Sequence, residues 1–306
     1  MMEPSAIGSV PQYLIGTASW TDPTLVNSDT FYPSSLRTAE QRLRFYASQF
    51  NAVELDASYY TLLSEKNSQL WAERTPPGFM FDVKAFALLT QHATEVTRLP
   101  LNLKAMLTKQ ERAQRRLERP SQAVLETAFQ MFHSSLTPLR AAGKLGMLVF
   151  QFPPYFTCRP SNFAYLESLR ARLPGDSIAI EFRHSSWVAE GRQRRESLDF
   201  LRSNGLCYVS VDEPQLPSTL PSFLETTAPE AYIRFHGRNR EAWHARRLTV
   251  AERYKYLYSE RELADWAERI RGLGGISRAH VIFNNCYRNF GVMNATTMRA
   301  MLERSV

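Results

Sequence analysis

Eight apolar runs, spread from one end of the chain to the other, each close with a polar or charged residue. The runs are Tyr13–Thr17, Ala52–Asp56, Phe79–Lys84, Leu145–Gln151, Ser177–Arg183, Leu206–Asp212, Ala231–His236 and Ala279–Asn285. Short apolar runs separated by stretches of helical composition indicate buried parallel strands joined by helices. Eight such units predict an α/β fold that closes as a single TIM-type (β/α)8 barrel.

The carboxyl ends of the eight strands meet at one rim of such a barrel, and that rim carries the chemistry. The polar residues that end the runs are therefore expected to converge there. The predicted rim residues are Glu54, Lys84, Gln151, Glu181, Arg183, Asp212, Arg234, His236 and Asn284. Successive side chains of a strand point to opposite faces, and this alternation predicts which of them point into the barrel. In the sixth run it places Tyr208, Ser210 and Asp212 toward the interior and Cys207 toward the helices.

The connection after the third run is unusually long, because 60 residues separate Lys84 from Leu145. One ordinary loop and helix need far fewer, so a helical insertion is expected at about 90–121 within a single domain that spans 1–306. The insertion is basic, and its cations are Lys104, Lys109, Arg112, Arg115, Arg116 and Arg119. A solvated helix face and a nucleic-acid-binding patch both explain such a charge run.

A second basic group follows the seventh run and borders the expected rim. It consists of Arg238, Arg240, Arg246, Arg247 and Arg253, with Trp243 and His244 among them. Together with a formal net charge of +7, these groups favour anionic partners, with nucleic acid as one alternative. The sequence does not specify an oligomeric state.

Composition narrows the class of protein. With 44% hydrophobic residues the chain can bury a large core. Its longest apolar stretch, near Leu145, is too short to cross a bilayer, so no membrane partner is expected. The N-terminal residues lack the apolar segment of a secretory signal, and the three cysteines form no metal-binding or disulfide pattern. A cytoplasmic location is therefore expected.

Several segments, in order, resemble a known family. They are Gly16–Trp20, Phe31–Pro33, Phe50–Glu54, Phe81–Lys84, Leu145–Pro154, Glu181–Trp187, Tyr232–Arg238, Tyr256–Leu263 and Phe283–Ala295. They are similar to the conserved blocks of the YecE-like family, a domain of unknown function numbered 72. The resemblance covers nearly the whole chain. It implies a TIM-type barrel and leaves the reaction to be argued from the site itself.

Four of the rim residues are candidates for catalysis. Glu54, Glu181 and Asp212 lie on different strands, and with His236 they could form an acid–base site or hold a divalent metal. Zinc is disfavoured because few histidines are available, whereas magnesium or manganese accepts carboxylate ligands. The alternative is a buried ion network in which a neighbouring cation neutralises each carboxylate.

The remaining candidates are expected to bind substrate. Lys84, Arg183, Arg234 and Arg238 favour a phosphate or carboxylate group, which forked guanidinium donors match. Gln151 and Asn284 supply neutral polar groups at the rim. Trp20 and Tyr59 follow strand ends, where their rings could stack on a base or sugar, although such rings also close cores.

Three functions remain open from the sequence. The leading hypothesis is a hydrolase of a phosphate ester or phosphodiester, with a metal bound by Glu54, Glu181 and Asp212. The second is a metal-independent lyase or isomerase acting on a small sugar acid or sugar phosphate, with Glu181 as the base and Lys84 stabilising an enolate. The third is a nucleic-acid-binding protein without enzymatic activity.

Overall fold

The computed structural model describes residues 11–243, 245 and 248–304. Its main sheet contains eight strands, numbered here in chain order. They are β1 Gln12–Thr17, β2 Ala52–Leu55, β3 Met80–Lys84, β4 Leu145–Gln151, β5 Ile178–Glu181, β6 Leu206–Asp212, β7 Glu230–Phe235 and β8 Arg278–Phe283. Neighbouring strands pair in parallel in the order β1-β8-β7-β6-β5-β4-β3-β2. This is the predicted α/β barrel.

Seven main helices cover the outside of the described barrel. They are α1 Ala39–Gln49, α2 Glu65–Glu73, α3 Gln122–Ser135, α4 Pro160–Arg172, α5 Arg192–Ser203, α6 Glu260–Arg271 and α7 Phe290–Glu303. Capping boxes begin two of them, since Thr38 pairs with Gln41 before α1 and Ser259 with Glu262 before α6. Residues 213–229, which connect β6 to β7, contain no helix. The barrel therefore departs from eight-fold regularity at that connection.

Shorter helices lie in the connections. The α-helical ones are Pro23–Val26, Ala57–Tyr60, Leu101–Met106, Lys109–Ala113, Thr137–Ala141 and Val250–Arg253, and the 3₁₀ ones are Ala87–Thr90, Val96–Arg98 and Ser185–Trp187. The insertion after β3 is thus built from several short helices together with an antiparallel pair, Thr94–Glu95 with Arg116–Leu117. None of the helices in the described part of the chain has the length and apolar character needed to cross a membrane.

Side chains complete the barrel between β1 and β2, where the two strands lie side by side without a backbone ladder. Asn51 Oδ1 accepts a hydrogen bond from Ile15 N (2.7 Å), and its Nδ2 donates to Tyr13 O (2.8 Å). The hydroxyl of Tyr46 accepts from Thr17 N (2.8 Å) and donates to Ala52 O (3.3 Å). These bonds satisfy backbone groups that the missing ladder would otherwise leave unpaired.

The side-chain faces of β6 are opposite to those expected from alternation. Parallel partners share a face, and the register pairs Val209 with Tyr232 and Val211 with Arg234. Because Tyr232 and Arg234 point into the barrel, the two valines do so as well, and Asp212 points to the helical layer. The prediction for this strand was wrong. Both of its faces carry apolar or small residues, so the sequence pattern does not show which face points into the barrel.

Candidate functional site

Polar side chains from four strands and the segments that follow them fill the carboxyl end of the barrel in two levels. The lower level consists of Glu54, Glu181, Arg234 and His236, which are fully buried. The upper level is partly exposed and consists of Asp56, Lys84, Arg183, Tyr59 and His92. We call the two levels together the barrel mouth.

Arg234, on β7, is the centre of the lower level. Its guanidinium donates to Glu181 Oε2 and to Glu54 Oε1, and its Nη1 also donates to Gln151 Oε1 at 3.1 Å. Burial by itself would make a charged guanidinium unfavourable, but these carboxylates hold the pKa of Arg234 well above its ordinary value. Arg234 is therefore a permanent cation that fixes the positions of two carboxyl groups.

His236 links the lower level to Arg183. Its Nε2 lies 3.1 Å from Glu181 Oε1 and 3.0 Å from Arg183 Nη2. Asn284 Nδ2 lies 3.0 Å from His236 Nδ1, so both ring nitrogens have polar neighbours. Burial and the nearby Arg183 lower the pKa of His236 to about 3. The imidazole is therefore neutral across the physiological pH range.

Glu181 is engaged on both oxygens. Arg183 Nη2 lies 2.6 Å from its Oε1, while Arg234 contacts its Oε2. Burial would raise the pKa of Glu181, but the charges of Arg183 and Arg234 outweigh it and hold that pKa well below the ordinary value. Arg183 is held on its other side by Glu213, at 2.8 Å. Glu181 is therefore a fixed counter-ion with little capacity to accept a proton.

Glu54 and Asp56 form a carboxyl pair at the boundary between the levels. Burial raises the pKa of Glu54 to about 8, Arg234 opposes this shift, and a hydrogen bond to Asp56 adds to it. Burial would also raise the pKa of Asp56, but Lys84 and Arg234 outweigh that effect and lower it. The pKa values of the two carboxyl groups are therefore shifted in opposite directions, upward for Glu54 and downward for Asp56. Lys84 Nζ lies 3.2 Å from Asp56 Oδ1.

A second buried charge cluster lies beneath the lower level. His280 Nδ1 is 2.9 Å from Asp82 Oδ2, and its Nε2 is 2.9 Å from Glu230 Oε2. The ring of Tyr232 stacks on His280 with centroids 5.4 Å apart, and its hydroxyl donates to Glu54 Oε2 (2.7 Å). Tyr232 thus connects this cluster to the carboxyl pair.

Asp212 does not join the other predicted catalytic residues. It faces the helical layer, where it accepts hydrogen bonds from Trp266 Nε1 (2.7 Å) and the Tyr258 hydroxyl (2.7 Å). Arg238 binds both of its oxygens at 2.8 and 2.6 Å and also reaches Glu262 at 2.9 Å. The predictions that Asp212 is catalytic and that Arg238 binds substrate at the mouth are corrected accordingly: the two form an ion pair outside the barrel interior.

Trp20 also lies away from the mouth. It is 7% exposed, and its ring packs edge-on against Trp71 of α2 (5.6 Å) and Phe81 (6.4 Å). Since Phe81 is on the outer face of β3, Trp20 closes the core between the barrel and a helix. Tyr59, by contrast, lies at the mouth, where Lys84 Nζ is 5.1 Å from its ring centroid.

The three carboxylates predicted to bind magnesium or manganese do not share one point in space. Glu54 and Glu181 accept hydrogen bonds from guanidinium and phenol groups, and Asp212 lies behind the strand. Within the ranges that the structure describes, no group of three histidine, cysteine or acidic side chains is arranged to hold a metal ion. The predicted metal-binding set therefore does not fit this geometry.

Three residues of the mouth were missed from the sequence. Asp56 ends its apolar run, but the residue predicted for the rim from this run is Glu54, two positions earlier. Glu213 reaches the interior because β6 has the opposite phase. His92 lies in the predicted insertion, and its ring packs edge-on against Tyr59 with centroids 5.2 Å apart. The termination of each run by a polar residue would have identified Asp56.

The predicted basic groups lie around the mouth and on the surface. Arg115, Arg116 and Arg119 line an open surface cleft of about 700 Å³ on the insertion. In the second group, Trp243 packs edge-on against Tyr254, whose ring is 6.1 Å from that of His236. Arg246, Arg247 and His244 lie outside the described residues.

Known proteins share this sequence and barrel. Residues 14–306 match the family described as "protein of unknown function DUF72". The UPF0759 protein YunF of Bacillus subtilis is 33% identical over 94% of this chain and 93% of its own.

Two solved DUF72 structures are also similar. One, from Thermotoga maritima, is 32% identical with a TM-score of 0.75 and covers 96% of this chain and 100% of its own. The other, from Enterococcus faecalis, is 27% identical with a TM-score of 0.76 and covers 96% and 97%. The described barrel thus agrees with the fold of solved relatives, and the chain belongs to the DUF72 family of proteins of unknown function.

Proposed function

We propose that this protein is a metal-independent enzyme of the lyase or isomerase class that moves a proton on a small sugar acid or sugar phosphate. The observation that carries the proposal is the carboxyl pair of Glu54 and Asp56, in which Lys84 Nζ lies 3.2 Å from Asp56 Oδ1 and the pKa values of the two acids are shifted in opposite directions. Two neighbouring acids whose pKa values are pushed apart are typical of sites that use one as acid and the other as base.

The proposed step assigns one task to each group. Asp56 is 26% exposed on its side chain and takes the proton from a carbon next to a carbonyl or carboxyl group. The electron pair of the broken C–H bond moves onto the substrate oxygen as an enolate, which Lys84 stabilises by its charge. In the return step Glu54 gives its proton to a substrate carbon, and the proton taken up by Asp56 then passes to Glu54, which restores the starting state of the pair.

The lower level positions this pair. Arg234 and the Tyr232 hydroxyl each bind one oxygen of Glu54. These bonds fix the position of the Glu54 carboxyl group beside Asp56. The sequence analysis assigned the role of base to Glu181. In this proposal Glu181 is not the base, because arginines already bind both of its oxygens. Glu181 acts in this proposal as a positioning residue for Arg183 and Arg234.

Solvent hydrogen exchange tests the proposal without knowledge of the product. The protein is incubated in D₂O with a panel of sugar acids and sugar phosphates, and NMR follows the loss of proton signals next to the carbonyl or carboxyl group. We expect exchange with at least one compound, unaffected by EDTA. Asp56→Asn should slow it by roughly 100-fold or more, the size of effect expected for loss of a general base.

A matched control is Asp199→Asn, which removes an exposed carboxylate that pairs with Arg202 on α5. It should exchange at the wild-type rate. Exchange that persists at the wild-type rate in Asp56→Asn, or that EDTA abolishes, would contradict the proposal.

A phosphate-ester hydrolase is the second candidate. It is favoured by three cations at one mouth, Lys84, Arg183 and Arg234, because phosphoryl transfer needs charge stabilisation of this kind. Arg183 and Arg234 each contact two carboxylates, which weakens this candidate relative to the first, for which Lys84 is the only cation needed. Release of inorganic phosphate from the same panel, without deuterium incorporation, would favour the hydrolase.

A further inference from the structure

A cleft of about 460 Å³ adjoins the mouth on the side of the insertion. Its lining includes four aromatic rings, Tyr59, Tyr60, His92 and Tyr155, and the charged residues Arg98 and Arg116. This volume is within the range of small-molecule sites. None of the functional roles assigned above uses the outer part of the cleft.

Two aromatic rings in the cleft are exposed although most aromatic side chains of the described chain are buried. Tyr60 is 51% and Tyr155 is 59% exposed. Both are anchored, since the Tyr60 ring packs edge-on against Tyr59 (5.0 Å) and the Tyr155 hydroxyl donates to Gln91 O (2.7 Å). Anchored, exposed tyrosine rings offer flat apolar surfaces on which a ligand ring can stack.

The cleft also carries an excess of positive charge. Arg98 Nε lies 2.9 Å from Glu95 Oε2, and Arg116 Nη2 lies 3.6 Å from Glu95 Oε1. One carboxylate therefore faces two guanidinium groups, both about half-exposed. The guanidinium of Arg98 is also 5.8 Å from the ring centroid of Tyr60, so the excess charge borders the stacking surface.

Tyr59 and His92 form the wall between the cleft and the upper level. The ring of Tyr59 contacts Tyr60 and His92 on the cleft side and Lys84 on the mouth side. Burial lowers the pKa of His92 to about 4, and the charges of Lys84 and Arg183 add to this shift. The His92 imidazole is therefore neutral at physiological pH and adds no charge to the cleft.

We infer that this cleft binds the ring and the phosphate of a ring-bearing phosphate ester, either a cyclic sugar phosphate or a nucleotide. The ring stacks on Tyr60 and Tyr155, and Arg98 and Arg116 hold the phosphate. The reacting end of the ligand then extends past Tyr59 to Lys84 and Asp56. The inference rests on the proposed function, for which it specifies the class of substrate.

Calorimetric titration with three probes tests this inference: AMP, glucose 6-phosphate and inorganic phosphate. We expect one of the two ring-bearing esters to bind more tightly than inorganic phosphate. Tyr60→Ala should weaken its affinity by roughly 5- to 100-fold, the effect of losing one stacked ring. The double variant Arg98→Ala/Arg116→Ala should weaken it by roughly tenfold or more because charge-assisted bonds to phosphate are lost.

The chain offers a matched control for the double variant. Arg44 and Arg74 share Glu40 at 3.0 and 2.9 Å, as Arg98 and Arg116 share Glu95, but they belong to α1 and the end of α2. Arg44→Ala/Arg74→Ala makes the same change in net charge and should leave the affinity unchanged.

The outcomes separate the inference from the function on which it rests. Tighter binding of AMP identifies a base as the stacked ring, and tighter binding of glucose 6-phosphate identifies a sugar. Equal affinity for all three probes, no binding of either ester, or the same loss in both double variants overturns the inference. Loss of deuterium exchange in Asp56→Asn with unchanged probe affinity supports the function independently, whereas unchanged exchange in that variant refutes the function alone.

Discussion

His280 provides a quantitative test of the buried charge arrangement. Burial lowers the pKa of its imidazole, but Asp82 and Glu230, bonded to its two nitrogens, outweigh burial and raise the pKa to about 9 from 6.5. A tenfold change in proton affinity corresponds to about 1.4 kcal/mol. The imidazolium therefore adds about 3 kcal/mol to the free energy of unfolding.

The sign of the pH dependence follows from the raised pKa. The contribution is complete below pH 6.5, where the imidazole is charged in both the folded and unfolded states, and it is lost as the pH rises to 9. His280→Gln keeps a polar side chain without the charge. We expect this variant to be less stable than the wild type by about 3 kcal/mol at pH 6 and by much less at pH 10.

Urea unfolding of both proteins between pH 6 and pH 10 measures this difference. Glu54 titrates in both proteins, so the difference between them isolates His280. His133→Gln is a suitable control, since His133 lies on the surface 3.8 Å from Asp176. A difference between wild type and His280→Gln that is constant over this pH range would refute the reasoning.

Three further predictions concern other parts of the molecule. Asp212→Asn should lower the free energy of unfolding by about 2 kcal/mol, because the buried carboxylate loses charge-assisted hydrogen bonds to the partly exposed Arg238, and should leave deuterium exchange at the mouth intact; a selective loss of exchange would contradict the outward placement. Gly16→Ala should prevent barrel closure, since its Cβ would lie 1.9 Å from Ala52 O, and circular dichroism melting would detect this; a wild-type melting temperature would contradict it. Charge reversal of Arg115 and Arg119 should leave exchange unchanged and abolish any salt-sensitive binding of nucleic acid in filter-binding assays; reduced exchange would connect the insertion surface to the mouth.

The fold followed from the sequence because its main signal is repeated. Each strand of a barrel is buried on both faces and so appears as an apolar run, and a polar residue at the end of each run marks the rim. The structure places Glu54, Lys84, Glu181, Arg234 and His236, which lie at or near the ends of these runs, at one end of the barrel. The helical insertion after β3 was recognised from its length. The single-domain boundary and the cytoplasmic location stay predictions.

The wrong placements of Asp212 and Arg238 have a common physical origin, which is the direction in which the side chains point. A run such as Leu206–Asp212 alternates small and apolar residues, so its phase is fixed by packing against Trp266 and Tyr258, which the local sequence does not contain. The same packing draws Arg238 away from the mouth. The pKa of Glu54 could not be predicted from the sequence either, because it depends on Arg234, which is 180 residues away in sequence.

The proton on Glu54 is the central claim of this account. NMR titration of the protein with ¹³C-labelled glutamate carboxyl groups measures it directly, and Glu54→Gln assigns the signal. We expect one glutamate carboxyl with a pKa of about 8. Its signal should be absent in Glu54→Gln, and its pKa should be lower in Asp56→Asn, where the neighbouring carboxylate has been removed. A Glu54 signal that titrates at its ordinary value of 4.5 or below would contradict it.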